Sequence, residues 1–256
     1  MYPYINQFIY VFQQMIGRKI IHLENVDSTN NYTANLLLKG EVDSGTVILA
    51  DKQTQGRGQR GSVWSSNSAE NMLFSLFLST EILSVNNQFV LSQFVSVSLI
   101  EMLKNIGLEA EVKWPNDIYI KNKKVAGILI ENQLSGSMLK SSIIGVGLNV
   151  NQKSFENISA TSLNNELGEF IPVQSVLFSF IFELNKNWNL ILSNKTDQII
   201  EKYFNNLYQK DKLCSYRDDR GTFLATIEGV TSNGNLILIS SEREKKYYDL
   251  KEVSFM

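Results

Sequence analysis

Two spacings of apolar residues run along the chain and separate its expected helices from its strands. Ser28 or Thr29 suits a helix N-cap, and a helix is expected over 30–38, closed by Gly40. Val47-Ile48-Leu49-Ala50 is an apolar run of strand length, and Met72 to Leu78 is another, after a polar Ser/Asn stretch. From 87 to 106, Val90, Phe94, Val97, Leu99, Ile100 and Leu103 recur at helical spacing, and Gly107 ends the element. Turn-separated strands follow at 110–114, 118–120, 125–131 and 141–150. Residues 173–192 are the longest apolar stretch, yet Gln174, Glu183, Asn185, Lys186 and Asn187 make it a core helix rather than a membrane span. Near the start, Phe8, Val11, Phe12 and Met15 would line a short helix ending at Gly17. A strand, a helix and then a run of strands predict an α+β domain with a mixed β-sheet flanked by helices.

The last 48 residues follow a different pattern. Thr222 to Ile227, Leu236 to Ile239 and Tyr247-Tyr248 read as short strands, with a turn at Ser232-Asn233-Gly234-Asn235. Charge density changes at the same place: 16 charged residues in 209–256, against 34 in the preceding 208. We therefore divide the chain into 1–208 and 209–256. The second unit would be a small β-barrel, marginal alone and docked on the first.

Composition removes several classes of chemistry. Cys214 is the single cysteine and His22 the single histidine, which excludes an intrachain disulfide, a cysteine zinc cluster and a histidine-pair metal site. A Ser-His-Asp triad would have to use His22, which precedes a strand-like run and reads as structural or surface. A net charge of −2 argues against bulk nucleic-acid binding. The N-terminus has no basic n-region and no small-residue cleavage site, so no membrane association is expected and the cytoplasm is the expected compartment. Chemistry here has to run on positioning and electrostatics.

The most informative segment is Gln53-Thr54-Gln55-Gly56-Arg57-Gly58-Gln59-Arg60-Gly61-Ser62-Val63-Trp64. Before residue 209 the chain has three arginines, and Arg57 and Arg60 are two of them. Arginine offers a planar fork of donors to carboxylate and phosphate oxygens. Closely spaced glycines let backbone N–H groups approach an anion. A loop that closes over a charged ligand is the functional reading, beside a plain solvated loop. Gly56, Gly58 and Gly61 also satisfy G-x-G-x-x-G, but a dinucleotide fold needs a helix at the third glycine. Ser62 to Ser68 is poor helix material.

The second constellation is Lys113-Trp114-Pro115-Asn116-Asp117, followed by a hairpin that turns at Asn122-Lys123. Lys124 starts the next strand beside this turn, where its ammonium can neutralise a carboxylate or phosphate as charge develops. Asp117 could hold a magnesium ion, which takes one or two carboxylates plus phosphate oxygens. A solvated hairpin with a basic tip is the plain alternative. Third, Gly145-Val146-Gly147-Leu148-Asn149 puts glycines inside a strand, a mark of close approach by a ligand or of sheet packing. No G-x-x-x-x-G-K-[ST] loop is present, so any ATP is held without one.

Together these segments resemble the biotin protein ligase family. The resemblance rests on Asp27-Ser28-Thr29-Asn30, the Gly-Arg loop with Trp64, Lys113-Trp114-Pro115-Asn116-Asp117, Lys124-Val125-Ala126-Gly127-Ile128-Leu129 and Gly145-Val146-Gly147-Leu148-Asn149. It implies a class II aminoacyl-tRNA synthetase-like catalytic domain of the biotin/lipoate ligase type and a small SH3-like C-terminal β-barrel. The implied reaction has two steps. Biotin's carboxylate attacks the α-phosphorus of ATP, with Mg2+, giving biotinyl-5'-AMP and pyrophosphate. A lysine of a biotin carboxyl carrier protein or domain, of acetyl-CoA carboxylase or a related carboxylase, then attacks the mixed anhydride and releases AMP. By the same resemblance Ser28, Thr29, Asn30 and Gln53 contact biotin, and Arg57, Gly58 and Gln59 lie in the loop that orders over it. Lys124, with Arg57, carries the chemistry by bonding the reacting carboxylate and phosphate oxygens. Arg60, Trp64, Asn116, Asp117 and Asn149 sit near the nucleotide, with Asp117 on its magnesium.

This chain departs from the family pattern at Gln59, where the loop often has arginine, and at Ser62, where it often has a basic residue. That shifts weight to Arg57 and Arg60. Some members are DNA-binding repressors through a preceding winged helix. Here 27 residues precede Ser28, so a ligase without DNA binding is expected. Two alternatives remain open at this point: a lipoate–protein ligase and a non-catalytic biotin-binding protein.

Overall fold

The computed structural model describes residues 15–256 except Asn157, and of Arg60 the backbone alone. The helix expected through Phe8, Val11 and Phe12 lies outside the described residues.

One mixed sheet of seven strands organises the larger unit, in the order β1-β2-β3-β7-β6-β5-β4. Its strands are β1 (Ile20–Val26), β2 (Val47–Gln53), β3 (Asn71–Ser79), β4 (Glu111–Lys113), β5 (Asp117–Ile120), β6 (Lys123–Ser135) and β7 (Met138–Asn149). β1 and β2 are parallel because helix α1 (Thr29–Lys39) carries the chain back between them. The other neighbours are antiparallel.

Alternation along β3 loads both faces of the sheet. Met72, Phe74, Leu76 and Leu78 belong to the main core, with helices α2 (Val90–Asn105) and α4 (Val173–Leu192). Phe74 meets Phe180 edge-on with ring centres 5.4 Å apart. On the opposite face Phe77 and Ile143 pack with Val42 under Ala34, Leu36 and Leu37. Helix α1 packs on β2, β3 and β7, and a cavity opens beside it over β6 and β7.

The C-terminal residues form a second, antiparallel sheet in the order β11-β10-β9-β8-β12. It comprises β8 (Cys214–Asp218), β9 (Gly221–Val230), β10 (Leu236–Ser240), β11 (Lys245–Tyr248) and β12 (Ser254–Phe255). Its inward residues Tyr216, Ile227, Leu236 and Leu238 are continuous with the core of the larger unit. Trp114 Nε1 also donates to the Gly234 carbonyl at 2.8 Å, so the two sheets are docked. Among the described residues no helix is long and apolar enough to cross a membrane.

Several local expectations shift. The first helix has Ser28 at its N-cap and Gly40 in the left-handed conformation after it, but Ser28 makes no side-chain cap bond. Its side chain lines the cavity instead. The helix expected from 87 begins at Val90, because Val85–Asn87 closes into a separate 3-10 turn. His22 lies within β1 rather than before a strand, with Nε2 2.8 Å from Asp51 Oδ1. Helices α3 (Leu163–Leu167) and α5 (Thr196–Asn205) were not expected; the first buries Leu163 and the second Ile199 and Tyr203.

A polar network ties α2, α4 and α5 together. Glu101 accepts from Lys202 Nζ at 2.8 Å and from Asn187 Nδ2 at 2.9 Å, while buried Glu183 accepts from Asn105 and Lys186, each at 2.9 Å. Burial pushes the Glu101 carboxyl up. The bonds from Lys202 and Asn187 and the charges of Lys202 and Lys186 outweigh that and hold it at about 2. A carboxylate depressed in the folded state contributes stability above its unfolded pKa, here near 4.5, and loses it as pH falls towards 2. Glu101→Gln is therefore expected to cost about 2–3 kcal/mol in urea unfolding at pH 7. The deficit relative to wild type should shrink from pH 4.5 downwards. A deficit that does not change with pH would assign the loss to packing rather than charge.

Candidate active site

The floor of the cavity is made of glycines. Gly127 of β6 pairs with Gly147 of β7, and Gly145 pairs with Leu129 beside them. The Trp64 indole lies across this floor: a Cβ on Gly147 would overlap Trp64 Cε2, and one on Gly127 would come 3.1 Å from Cζ3. A Cβ on Gly145 would meet Asn30 Oδ1 at 2.5 Å. These glycines thus admit an indole and an amide flat against the sheet, where any side chain would hold them off.

One wall is a chain of polar groups set by α1. The Thr29 N–H and hydroxyl donate to Gln53 Oε1 at 2.8 and 3.1 Å. Ser75 Oγ lies 2.7 Å from Thr29 Oγ1 and 2.6 Å from Asn30 Oδ1. Asn30 Nδ2 donates to Glu131 Oε2 at 2.7 Å, and Arg57 Nη2 pairs with the same oxygen at 2.9 Å. Ser28, Thr29, Asn30 and Ser75 are all buried. Buried polar groups already satisfied by one another form a pre-set recognition surface rather than a mobile one.

The other wall carries charge. Lys124 Nζ is 2.6 Å from Asp117 Oδ1 and 5.6 Å from the Trp64 ring centre. The hairpin is fixed from both sides. Asn116 donates its side-chain amide to the Ile128 carbonyl at 2.7 Å and accepts the Ile128 N–H at its own carbonyl. Lys124 donates its N–H to Ser159 and accepts the Thr161 N–H. Behind the turn, Lys113 Nζ lies 4.7 Å from the Tyr119 ring centre and 5.4 Å from that of Phe255, which seats the hairpin on β12. Burial pulls the Lys113 ammonium down, with Asp117 acting against this and Lys124 with it. Burial, then Asp117, pushes the Tyr119 hydroxyl up to about 12.

The structure thus brings Ser28, Thr29, Asn30, Gln53, Arg57, Gly58, Gln59, Trp64, Asn116, Asp117 and Lys124 around one cavity of 260 Å3. Asn149 is the exception. It is buried outside the cavity, and its Nδ2 donates to the Thr161 carbonyl at 3.0 Å. Thr161 in turn donates its N–H to the Lys124 carbonyl, so Asn149 is linked through this strap to the strand that carries Lys124. The Arg60 side chain lies outside the described ones. Gly58 lines the cavity, and its N–H donates within the loop to the Ser62 carbonyl at 2.7 Å.

Sequence reasoning did not single out Ser75, Glu131, Leu250 or Lys251. A serine within Leu73-Phe74-Ser75-Leu76 and a glutamate ending an apolar run were the available signals for the first two. Asp117 is the one carboxylate among the described residues lining the cavity. Among the described residues there is also no cluster of three His, Cys, Asp or Glu that could hold a metal. This donor set fits a magnesium delivered on phosphate oxygens and does not fit a resident metal centre.

Comparison with known proteins agrees with this geometry. Residues 23–149 match the biotin/lipoate A/B protein ligase family. The chain is 31% identical over 241 residues to the bifunctional ligase/repressor BirA of Bacillus spizizenii, covering 92% of this chain and 74% of that protein. It is 26% identical over 249 residues to the chloroplastic biotin--protein ligase 1 of Arabidopsis thaliana, covering 91% and 66%. The fold superposes on the biotin protein ligase from Aquifex aeolicus in complex with biotin and ATP with a TM-score of 0.77. That match has 27% identity and covers 93% of this chain and 99% of that one. From the glycine floor, the lysine hairpin and a match that extends into the C-terminal sheet, the chain belongs to the biotin protein ligases of the biotin/lipoate A/B protein ligase family.

Proposed function

We propose that this chain activates biotin as biotinyl-5'-AMP and transfers it to a lysine of a biotin carboxyl carrier protein or domain. The observation that carries the reading is Lys124, held 2.6 Å from Asp117 beside the glycine floor and facing the Thr29–Asn30 wall. The polar wall suits the ureido end of biotin, which needs donors and acceptors together. The ligand's carboxylate would then point towards Lys124 and Arg57.

In the first step a carboxylate oxygen bonds to the α-phosphorus and the bond to the bridging oxygen of pyrophosphate breaks. Lys124 leaves Asp117 and neutralises charge on the oxygens that change bonding. Asp117, Lys124's partner, would hold a magnesium ion accompanying ATP, which would neutralise phosphate charge. Trp64 and the loop exclude water from the anhydride. In the second step the acceptor amine attacks the biotinyl carbonyl carbon and AMP departs. Neither step needs a nucleophile from the protein, in keeping with a cavity lined by neither histidine nor cysteine among the described residues.

The test is a labelling assay with ATP, biotin and a carrier domain, together with ATP–pyrophosphate exchange on biotin and on lipoate. Biotin-dependent exchange and labelling of the carrier lysine are expected. Exchange with lipoate alone, or biotin binding with no exchange, would refute the reading.

A further inference from the structure

We infer that Glu131, on β6, is the positioning residue for Arg57: it fastens the Gly-Arg loop over the end of the cavity remote from Lys124 and so sets how long biotin stays bound. The inference rests on the biotin-activation reading above and adds to it a residue that does not itself line the cavity.

Place along the strand comes first. Side chains alternate along β6, so Gly127, Leu129 and Glu131 share one face. Gly127 lies under Trp64 and beside Lys124 Nζ, Leu129 pairs with Gly145 under Asn30, and Glu131 is one step further. Four residues of strand put Glu131 roughly 13 Å along β6 from Gly127. The loop is thus tied to the sheet at two separate points. Trp64 sits on the glycines near Lys124, and Arg57 reaches Glu131 beside Asn30.

Next is how the contact is built. Glu131 Oε2 accepts from Asn30 Nδ2 at 2.7 Å and from Arg57 Nη2 at 2.9 Å. Asn30 is 3% exposed, and its Oδ1 accepts from Ser75 Oγ at 2.6 Å, so a buried amide fixes this carboxylate oxygen on the side away from the loop. A surface ion pair has to order two long side chains at once; here one of them is already set.

Last is what the arginine carries with it. The Gly58 N–H donates to the Ser62 carbonyl and the Trp64 N–H to the Gly56 carbonyl, with Arg57 opposite Val63, so the loop moves as a unit with Arg57. A guanidinium has five N–H donors, and Glu131 takes the bond from Nη2. Glu131 can therefore hold Arg57 from one side while other donors face ligand oxygens, which lowers the freedom lost on binding.

The test measures biotin dissociation from wild type, Glu131→Gln, Arg57→Ala and the double variant. Glu131→Gln keeps an oxygen for the Asn30 amide and removes the charge. Its dissociation rate should rise about threefold to fivefold, the discounted worth of a pair whose side chains are 41% and 37% exposed. The single-turnover rate of adenylate formation at saturating biotin and ATP should stay within about twofold, because a bound carboxylate can itself order Arg57. Added salt should speed dissociation from wild type and not from Glu131→Gln. In the Arg57→Ala background, Glu131→Gln should have no further effect. An unchanged dissociation rate, the same salt dependence in both proteins, or an equal effect of Glu131→Gln with and without Arg57 would overturn the inference; the last would assign Glu131 to holding Asn30 alone. If wild type gives no biotin-dependent pyrophosphate exchange, the activation reading fails. Tryptic cleavage after Arg57 in the ligand-free protein, compared at equal distance below each melting temperature, then still decides the residue: faster cleavage of Glu131→Gln supports it, and equal cleavage overturns it.

Discussion

Lys124→Ala is expected to slow biotinyl-adenylate formation by about a hundredfold to a thousandfold, the range for removing one preorganised donor from developing negative charge. The loss should appear in the single-turnover rate with saturating biotin and ATP, because the ammonium acts on charge that develops during bond exchange. Folding should survive. The side chain is 29% exposed, and the main-chain bonds to Ser159 and Thr161 do not depend on it. Removing the ammonium leaves Asp117 beside the reacting phosphate, adding repulsion to the lost attraction. Lys124→Arg should recover little, since a planar fork does not reproduce a point charge held 2.6 Å from one carboxylate oxygen. A variant that forms adenylate at the wild-type rate would remove Lys124 from the chemistry. A variant that loses biotin binding and rate in equal measure would reassign it to binding.

Gly147→Ala is expected to lower kcat/KM for biotin by about a hundredfold, although the substitution adds one methyl group. Its Cβ would occupy the place of Trp64 Cε2, and Gly127 across the strand pair leaves the indole no closer alternative seat. The indole and the loop behind it must lift by more than an ångström, a misplacement of the kind that costs about two orders of magnitude. The backbone itself accepts alanine, since Gly147 lies in a regular antiparallel pairing with Leu73 and Gly127. Thermal stability should therefore change little while activity falls. Pairing Gly147→Ala with Trp64→Ala separates the two contributions. If the methyl acts by displacing the indole, the double variant should be no worse than Trp64→Ala alone. A further loss in the double variant would mean that the methyl meets the substrate directly.

What was legible in the sequence is what the chain keeps local. Lys124 and Asp117 meet because one short hairpin holds both, and a proline, an asparagine and a run of lysines announce it. Gly145 and Gly147 were legible as an anomaly within a strand, though not as seats for Asn30 and Trp64. The link from Asn30 through Glu131 to Arg57 was not legible, because its members come from α1, β6 and the loop and meet only once the sheet has formed. Helix α5 was legible as Ile199, Ile200, Tyr203 and Phe204 at helical spacing, a signal shortened by its length of ten residues. The bond from Asn149 to the Thr161 carbonyl was not legible, because a strand-end amide carries no mark of which carbonyl it meets.

The two glycines under Trp64 have a consequence for how this protein tolerates change. The position of the Trp64 indole is specified by the sheet beneath it, as the shape of a recess, while main-chain bonds such as Gly58 N–H to the Ser62 carbonyl hold the turn of the loop. Side chains at the tip can then change without the indole losing its resting place. The recess has no such latitude. A mutational scan should find positions 127 and 147 nearly invariant and positions 59 and 62 permissive, although all four border one cavity or the loop above it.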